Sequence, residues 1–307
     1  MLRSRPEAFG LPLELLAGAD GLGREITSPH IQKTGLALAG FHEYLKAGRV
    51  LIFGESEIRY LESLDTVARV ASLRLALTLD FPCVVITGGF TPPPELAVEA
   101  ERARLPLLKT SVPTPAAIAK LTSLLEDSLA ERTMIHAVLM DILGLGVLIV
   151  GESGIGKSEC ALDLIVRGHR LVSDDIVEIK RKGVVLNGSG PELTRYHMEV
   201  RGLGIINIKD LFGVAAVRYL KDVDMVVRLD PWQQGKEYER LGLDQRTYEI
   251  LGVSVPFIEM PVAPGRHLSV LIEVAARNHL LKTKGYDPAR ELASRLEARL
   301  ADGPLGT

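Results

Sequence analysis

Residues 151–158 of this chain have the types and the spacing of a phosphate-binding loop. In order they are Gly151, Glu152, Ser153, Gly154, Ile155, Gly156, Lys157 and Ser158, which match the pattern G-x-x-x-x-G-K-[ST]. The backbone N–H groups of such a loop point at the phosphates of a nucleotide, and the helix that follows adds its partial positive charge. Lys157 would neutralise β- and γ-phosphate oxygens, and the hydroxyl of Ser158 would coordinate Mg²⁺. The loop therefore predicts a nucleotide site with Mg²⁺.

The segments on either side of this loop support the same interpretation. Residues 147–150 form a short apolar run suited to a buried strand, and residues 160–166 have the pattern of a helix. Strand, loop and helix in this order are the context that a phosphate-binding loop requires. The alternative, a glycine-rich turn that binds nothing, is disfavoured by these flanks.

Two neighbouring aspartates, Asp174 and Asp175, follow residues 170–173, where a strand is expected to end. Open α/β sheets bind ligands at the carboxyl ends of their strands. One aspartate would then hold Mg²⁺, directly or through water, and the other would take a proton from a substrate hydroxyl. Side chains of neighbouring residues on an extended segment point to opposite faces, which favours separate roles over a dyad. The alternative is a polar turn in which one aspartate caps backbone amides.

Four other residues are weaker candidates. His136 lies among apolar residues, and its spacing alone gives it no role. Glu199 suits a metal and Arg201 suits a phosphate, although an ordinary loop with a salt bridge explains them as well. Arg266 ends the turn-rich segment 261–266, where a phosphate-facing guanidinium competes with a solvated one.

Composition limits the possible functions. A chain of 307 residues with 47% hydrophobic residues favours two domains with substantial cores. The formal net charge is −3, shared between two nearly neutral halves, so neither half has the basic excess that binding to nucleic acid needs. Two distant cysteines, Cys83 and Cys160, indicate a reducing compartment. We find neither a signal-peptide pattern nor 18 consecutive apolar residues, so we expect a cytoplasmic protein that does not span a membrane.

The predicted elements divide the chain into two α/β domains. Residues 1–128 alternate strand-like and helix-like segments, which is typical of a small domain with a parallel sheet. Residues 129–307 form the second domain, which carries the phosphate-binding loop. In the first domain the predicted strands are 49–53, 83–87 and, at an edge, 105–109, and the predicted helices are 57–64, 94–104 and 116–129. Near the C-terminus the predicted helices are 268–284 and 288–300.

Taken together, these segments resemble the bacterial HPr kinase/phosphorylase family over nearly the whole chain. Residues 199–207 are similar to a signature of that family and are more specific than the phosphate-binding loop. The other segments that carry the resemblance are 34–41, 57–61, 135–136, 151–159 and 168–175. The resemblance implies that the catalytic domain is a P-loop kinase domain similar to phosphoenolpyruvate carboxykinase.

The resemblance also implies roles for single residues. Asp175 would deprotonate the substrate serine and would protonate it in the reverse direction, with Asp174 and His136 assisting. Ser158 and Glu199 would coordinate Mg²⁺, and Lys157 would bind the nucleotide phosphates. Arg240 would stabilise charge on the transferred phosphoryl group. Arg201 lies in a segment that would serve both directions, and Arg266 lies in one that would serve chiefly the reverse direction.

The implied reaction transfers a phosphoryl group from ATP to a serine of the phosphocarrier protein HPr. In the reverse direction inorganic phosphate attacks the phosphoserine and pyrophosphate is released, and the enzyme is expected to be a hexamer. This chain differs from the family pattern at Ala263, where a basic residue is usual, and at His267, where Asn is usual. We therefore expect weaker phosphorylase activity than kinase activity. The alternatives are a P-loop kinase of small molecules and a nucleotide-sensing regulator without catalysis, although the presence of Asp175 disfavours the regulator.

Overall fold

The structure is a computed structural model that describes residues 11–236 and 246–301. The chain forms two compact units, and the division falls between Ala130 and Glu131. The boundary predicted from the sequence lies two residues earlier. Each unit has its own sheet and its own apolar cores.

The first unit is an α/β domain with a five-stranded sheet. Its strands are β1 (Glu14–Ala17), β2 (Ile31–Lys33), β3 (Val50–Phe53), β4 (Val84–Ile86) and β5 (Leu107–Lys109). Its helices are α1 (Gly35–Leu38), α2 (Glu55–Ser63), α3 (Thr66–Ala76), α4 (Pro94–Arg102) and α5 (Thr114–Leu129). The order is β1-β5-β4-β3-β2, with β2 to β5 parallel and β1 antiparallel to β5. The predicted α/β fold with a parallel sheet is confirmed, but the edge position predicted for residues 105–109 is wrong, because β1 covers that side of β5.

The second unit contains a nine-stranded mixed sheet and a separate hairpin. Its strands are β6 (Arg132–Ile142), β7 (Leu145–Gly151), β8 (Arg170–Ser173), β9 (Ile176–Lys182), β10 (Val185–Ser189), β11 (His197–Val200), β12 (Gly204–Asn207), β13 (Leu220–Asp222), β14 (Met225–Pro231), β15 (Arg246–Ile250) and β16 (Val253–Val262). Its helices are α6 (Lys157–Val166), α7 (Ile208–Phe212), α8 (Leu268–Thr283) and α9 (Pro288–Ala301). The sheet order is β13-β10-β9-β6-β7-β14-β16-β15, β8 pairs with β6, and β11 pairs with β12.

Three adjacent parallel strands define the edge of the sheet that matters for function. Strands β7, β14 and β16 run in the same direction, so the loops that follow them lie at one edge of the sheet. We call this the P-loop edge. Strand β6 is antiparallel to β7, with Ala137 opposite Val150, and this register brings His136 to the same edge.

Apolar side chains cover both faces of the nine-stranded sheet, and one face carries the two helices that flank the P-loop edge. Helices α6 and α8 pack there, with Leu164 and Ile272 in one core together with Val138, Ile149 and Val227 of the strands. The other face has a second core around Leu148 and Val226. None of the helices within residues 11–236 and 246–301 combines the length and the apolar composition that crossing a membrane requires.

Candidate active site

The phosphate-binding loop leaves the start of helix α6 open. Gly151, Gly154 and Gly156 have φ angles of 152°, 81° and 103°, a region that L side chains rarely adopt. Helix α6 begins at Lys157, and its N-cap residue is Gly156. Glycine has no side chain that could accept a hydrogen bond from the first turn, so the helix has no side-chain cap. Uncapped N–H groups at a helix N-terminus are a site for an anion, and the helix dipole adds to their attraction.

The ammonium group of Lys157 crosses the loop. Its Nζ atom donates hydrogen bonds of 2.9 Å to the carbonyl oxygens of Gly151 and Glu152. These bonds hold the cation beside the N–H groups of the loop, where a phosphate would gain both contacts. An ammonium group beside the N–H groups of a glycine loop is the arrangement that phosphate-binding loops use.

Asp174 connects the loop to the β11–β12 hairpin. The Ser158 hydroxyl donates to its two carboxylate oxygens, at 3.0 and 3.2 Å, and the N–H of Glu199 lies 3.4 Å from one of them. Asp174 is only 8% exposed. Burial raises its pKa to about 6, although the bonds from Ser158 and Glu199 work in the opposite direction. The buried Asp174 carboxylate therefore joins the Ser158 hydroxyl, at the start of α6, to the backbone of Glu199 on the hairpin.

Asp175 faces away from this group and toward His136. Its carboxylate lies 3.6 Å from the Nδ1 atom of His136, and the side chains are 76% and 81% exposed, respectively. The backbone of Asp175 has a φ of 67°, a left-handed conformation that is uncommon for a residue other than glycine. An exposed carboxylate next to an imidazole can exchange a proton with a substrate that approaches from solvent.

Strand β8 ends at Ser173, as the sequence predicts, but a second strand, β9, begins only two residues after the strand end, at Ile176. Strands β8 and β9 both pair antiparallel with β6, so they form one path that bends at Asp174 and Asp175. The register shifts between Leu139 and Met140, and the N–H of Ala137 donates to the carbonyl of Asp175. This bend, rather than simple alternation along a strand, buries one carboxylate and exposes the other.

Arg201 lies against the phosphate-binding loop. A methyl group built at Gly154 would be 2.8 Å from Nη2 of Arg201, so the guanidinium occupies the space directly beside that glycine. The hairpin formed by β11 and β12 carries Arg201 at its turn and Glu199 on its first strand. The hairpin thus brings the Arg201 guanidinium to the loop from outside the main sheet, and its Glu199 N–H contacts Asp174.

The two remaining arginines of the predicted site are Arg266 and Arg240. Arg266 follows β16, at the P-loop edge, and its Nη1 atom donates to the carbonyl of Pro261 at 3.0 Å. Its side chain is exposed, and within the described residues no hydrogen bond connects it to residues 151–158. Arg240 lies outside the described residues.

Within residues 11–236 and 246–301, no cluster of three or more His, Cys, Asp or Glu side chains is arranged to hold a metal ion. The oxygen atoms of Ser158, Asp174 and Glu199 are nevertheless of the kind that Mg²⁺ prefers, and Mg²⁺ in kinases is bound largely by substrate phosphates. An open helix N-terminus, a lysine, an arginine and an exposed carboxylate together match the requirements of phosphoryl transfer.

Comparison with known proteins agrees with this chemistry. Residues 7–125 match the family model described as HPr Serine kinase N terminus, and residues 127–296 match the HPr Serine kinase C-terminal domain. The HPr kinase/phosphorylase of Geobacter sulfurreducens is 50% identical over 299 residues, which cover 97% of this chain and 94% of that protein. The HPr kinase/phosphorylase of Brevibacillus brevis is 46% identical over 278 residues, which cover 90% of this chain and 89% of that protein.

One solved structure adds a further similarity. The Hpr(Ser) kinase/phosphatase from Coxiella burnetii is 40% identical, with a TM-score of 0.47, and the match covers 52% of this chain and 98% of that one. The two family models together cover most of the sequence, and the relatives match it nearly from end to end. The chain therefore belongs to the HPr serine kinase family.

Proposed function

We propose that this protein transfers a phosphoryl group from ATP to a serine of HPr and removes it again with inorganic phosphate, releasing pyrophosphate. The observation that carries the proposal is the position of Asp175 and His136 at the same sheet edge as the open N-terminus of α6. The kinase/phosphorylase relatives, at 50% and 46% identity, support the substrate and the two directions.

In the kinase direction Asp175 accepts the proton of the serine hydroxyl. The serine oxygen attacks the γ-phosphorus of ATP, the bond to the β-γ bridging oxygen breaks, and ADP leaves. His136, 3.6 Å from Asp175, orients the carboxylate. Lys157, Arg201 and Arg240 neutralise charge on the phosphoryl oxygens, which is the main requirement of a loose transition state.

The reverse direction uses the same groups. An oxygen of inorganic phosphate attacks the phosphorus of phosphoserine, the bond to the serine oxygen breaks, and the protonated Asp175 returns its proton to that oxygen. Pyrophosphate is the second product. Because Ala263 supplies no charge to the loop that ends in Arg266, phosphate is held less firmly, and we expect the phosphorylase to be the weaker activity. Ala263→Arg should therefore raise the dephosphorylation rate, and a rate no higher than that of the wild type would contradict this explanation.

Mg²⁺ would be held by Ser158 and Glu199, with Asp174 behind them, and would supply positive charge to the phosphates. Asp174 keeps the Ser158 hydroxyl and the backbone of Glu199 in place through its carboxylate. We further propose that the active form is a homohexamer and that it works in the cytoplasm.

A mass measurement on HPr tests the proposal. Purified protein, Mg-ATP and HPr should give HPr that is heavier by one phosphoryl group, and excess phosphate should then remove that group. Asp175→Asn should abolish both changes while ATP still binds. An unchanged HPr with ATP bound would contradict the proposal and favour a small-molecule kinase or a nucleotide-sensing regulator.

A further inference from the structure

Helix α6, which starts at the phosphate-binding loop, is joined to helix α8, which starts after the loop that carries Arg266. The two helices share an apolar core that includes Leu164 and Ile165 of α6 and Ile272 and Ala276 of α8. Two polar contacts lie along their interface, one at the first turn of α8 and one a turn later. We call them the first and the second polar contact.

The first polar contact is a hydrogen bond between helices. Ser269, which is 3% exposed and is the second residue of α8, donates its hydroxyl proton to the carboxylate of Asp163. Asp163 lies on α6, six residues after Lys157, and Arg167 lies 3.3 Å from its carboxylate. The hydrogen bond from Ser269, assisted by Arg167 and His267, holds the pKa of Asp163 below its usual value, although burial works in the opposite direction. The first turn of α8 is therefore attached to an ionised group of the P-loop helix.

The second polar contact is ionic and lies farther from the loop. The carboxylate of Glu273 accepts a hydrogen bond of 2.6 Å from Arg277 on its own helix. On the other side it is 3.7 Å from Nε2 of His169 and 3.9 Å from Arg167. This contact also joins α8 to the end of α6, but it does not involve the residues next to the Arg266 loop.

The loop between β16 and α8 has little freedom between its two attachments. On one side, Arg266 donates its backbone N–H to Ala263 and its Nη1 to the carbonyl of Pro261. On the other side, only two residues separate it from Ser269. The position of Arg266 at the P-loop edge is thus set by β16 and by the bond between Ser269 and Asp163.

We propose that Asp163 is a positioning residue for Arg266 and that it determines the affinity for free inorganic phosphate. The inference rests on the proposed function. In the kinase direction the phosphoryl group arrives on ATP, which residues 151–158 hold by its other phosphates. Inorganic phosphate has no nucleoside and no second phosphate, so its binding depends more strongly on cations outside that loop. A displaced Arg266 therefore weakens phosphate binding before it weakens ATP binding.

Steady-state kinetics of the two directions test this role. Asp163→Ala and Ser269→Ala should each raise the KM for phosphate about tenfold, since small displacements of a positioned cation have large kinetic effects. The KM for ATP should stay within about twofold in both variants, because the phosphate-binding loop itself is unchanged. Asp163→Asn retains an oxygen that accepts the Ser269 proton, and it should restore a KM for phosphate close to that of the wild type.

Glu273→Ala is the matched control, because it removes the second polar contact from the same helix pair. It should lower Tm at least as much as Asp163→Ala and leave the KM for phosphate within about twofold of the wild type. A KM for phosphate that rises as much in Glu273→Ala as in Asp163→Ala would overturn the inference. Equal effects on the KM for phosphate and the KM for ATP in Asp163→Ala and Ser269→Ala would also overturn it. A wild-type protein without either activity would instead refute the proposed function, and this inference with it.

Discussion

Each unit of this protein contains the tripeptide Gly-Glu-Ser at the end of a buried strand, yet only the second copy leads into a helix whose N-terminus has no side-chain cap. In the first unit residues 54–56 follow β3, and in the second unit residues 151–153 begin with Gly151, the last residue of β7. Helix α2 begins at once, at Glu55, and the carboxylate of Glu57 accepts the N–H of Gly54 at 2.9 Å. In the second unit residues 152–156 lie between Gly151 and the start of α6, which has no side-chain cap.

The comparison separates what makes a helix start from what makes it bind an anion. A carboxylate in the first turn satisfies the free N–H groups and complements the helix dipole, so it stabilises the helix. The same carboxylate occupies the donors and repels a phosphate. Helix α6 also has a glutamate, Glu159, at the position of Glu57, but no side chain caps its first turn. It begins with Lys157 where α2 begins with Glu55, and a glycine loop precedes it, so the donors stay available. The predictions below test each part of this difference.

The largest effect is expected from removing the cation at the open helix. Lys157→Ala eliminates both 2.9 Å bonds to the loop and the charge next to the phosphates, so HPr phosphorylation should fall about a thousandfold or more. Thermal melting would show whether the variant is still folded, and a circular dichroism spectrum like that of the wild type is the control. Residual activity above one tenth would mean that Lys157 is not the cation that neutralises the phosphates.

The second-largest effect concerns the stability of the folded state, and the direction of its pH dependence follows from the pKa of Asp174. Burial raises the pKa of Asp174 to about 6, from the ordinary 3.8, so between these values the folded state binds more protons than the unfolded state. Its contribution to stability is therefore lost as the pH rises through that range. Asp174→Asn should raise Tm relative to the wild type at pH 7.5, corresponding to up to about 3 kcal/mol, with little difference at pH 4.

The matched control for this prediction is Asp175→Asn, since the Asp175 side chain is 76% exposed. We expect no comparable gain in Tm from it at either pH. The Asp174→Asn protein should also lose kinase activity, because the Ser158 hydroxyl and the Glu199 backbone lose a charged acceptor. If the Tm difference between Asp174→Asn and the wild type is the same at pH 4 and pH 7.5, the buried Asp174 carboxylate does not destabilise the folded state.

A feature of the fold or of the site could be predicted from the sequence when the residues that form it are close together in the chain. The phosphate-binding loop was predictable, because its glycines, lysine and flanking segments are contiguous. The bend at Asp174 and Asp175 was not, because it depends on the register with β6, some 35 residues away. The pairing of β1 with β5 likewise joins residues that are at least 90 positions apart in the sequence.

The interface between α6 and α8 shows the same limit at the site itself. The hydrogen bond between Ser269 and Asp163 spans 106 residues, and neither residue belongs to a recognisable pattern. Only the packing of α8 on the P-loop helix brings them together. Residue types and spacing therefore predict the groups that would touch phosphate, whereas the residues that position these groups are seen only in the fold.

The third prediction concerns the glycine closest to Arg201. Gly154→Ala places a methyl group 2.8 Å from the guanidinium in a backbone with φ of 81°, so both Arg201 and the loop must shift. The kinase kcat/KM should fall about tenfold. Gly183→Ala is the control, because its φ is 62° but no atom lies within 4 Å of the added methyl. Equal kinetic losses in the two variants would mean that global strain, rather than contact with Arg201, explains the effect.

The smallest effect is expected at the capped helix of the first unit. Glu57→Ala removes the acceptor for the Gly54 N–H and the Ser56 hydroxyl, and it should destabilise the protein by about 1 kcal/mol. Glu55→Ala is the control, since Glu55 lies in the same first turn but is 65% exposed in its side chain. Kinase activity should be unchanged in both variants. A helix N-terminus without its carboxylate still lacks the lysine and the extended glycine loop, so Glu57→Ala should gain no phosphate binding in the first unit. Phosphate should therefore raise Tm by the same amount in Glu57→Ala and in the wild type, and a larger rise in Glu57→Ala would show that an open helix start alone is sufficient.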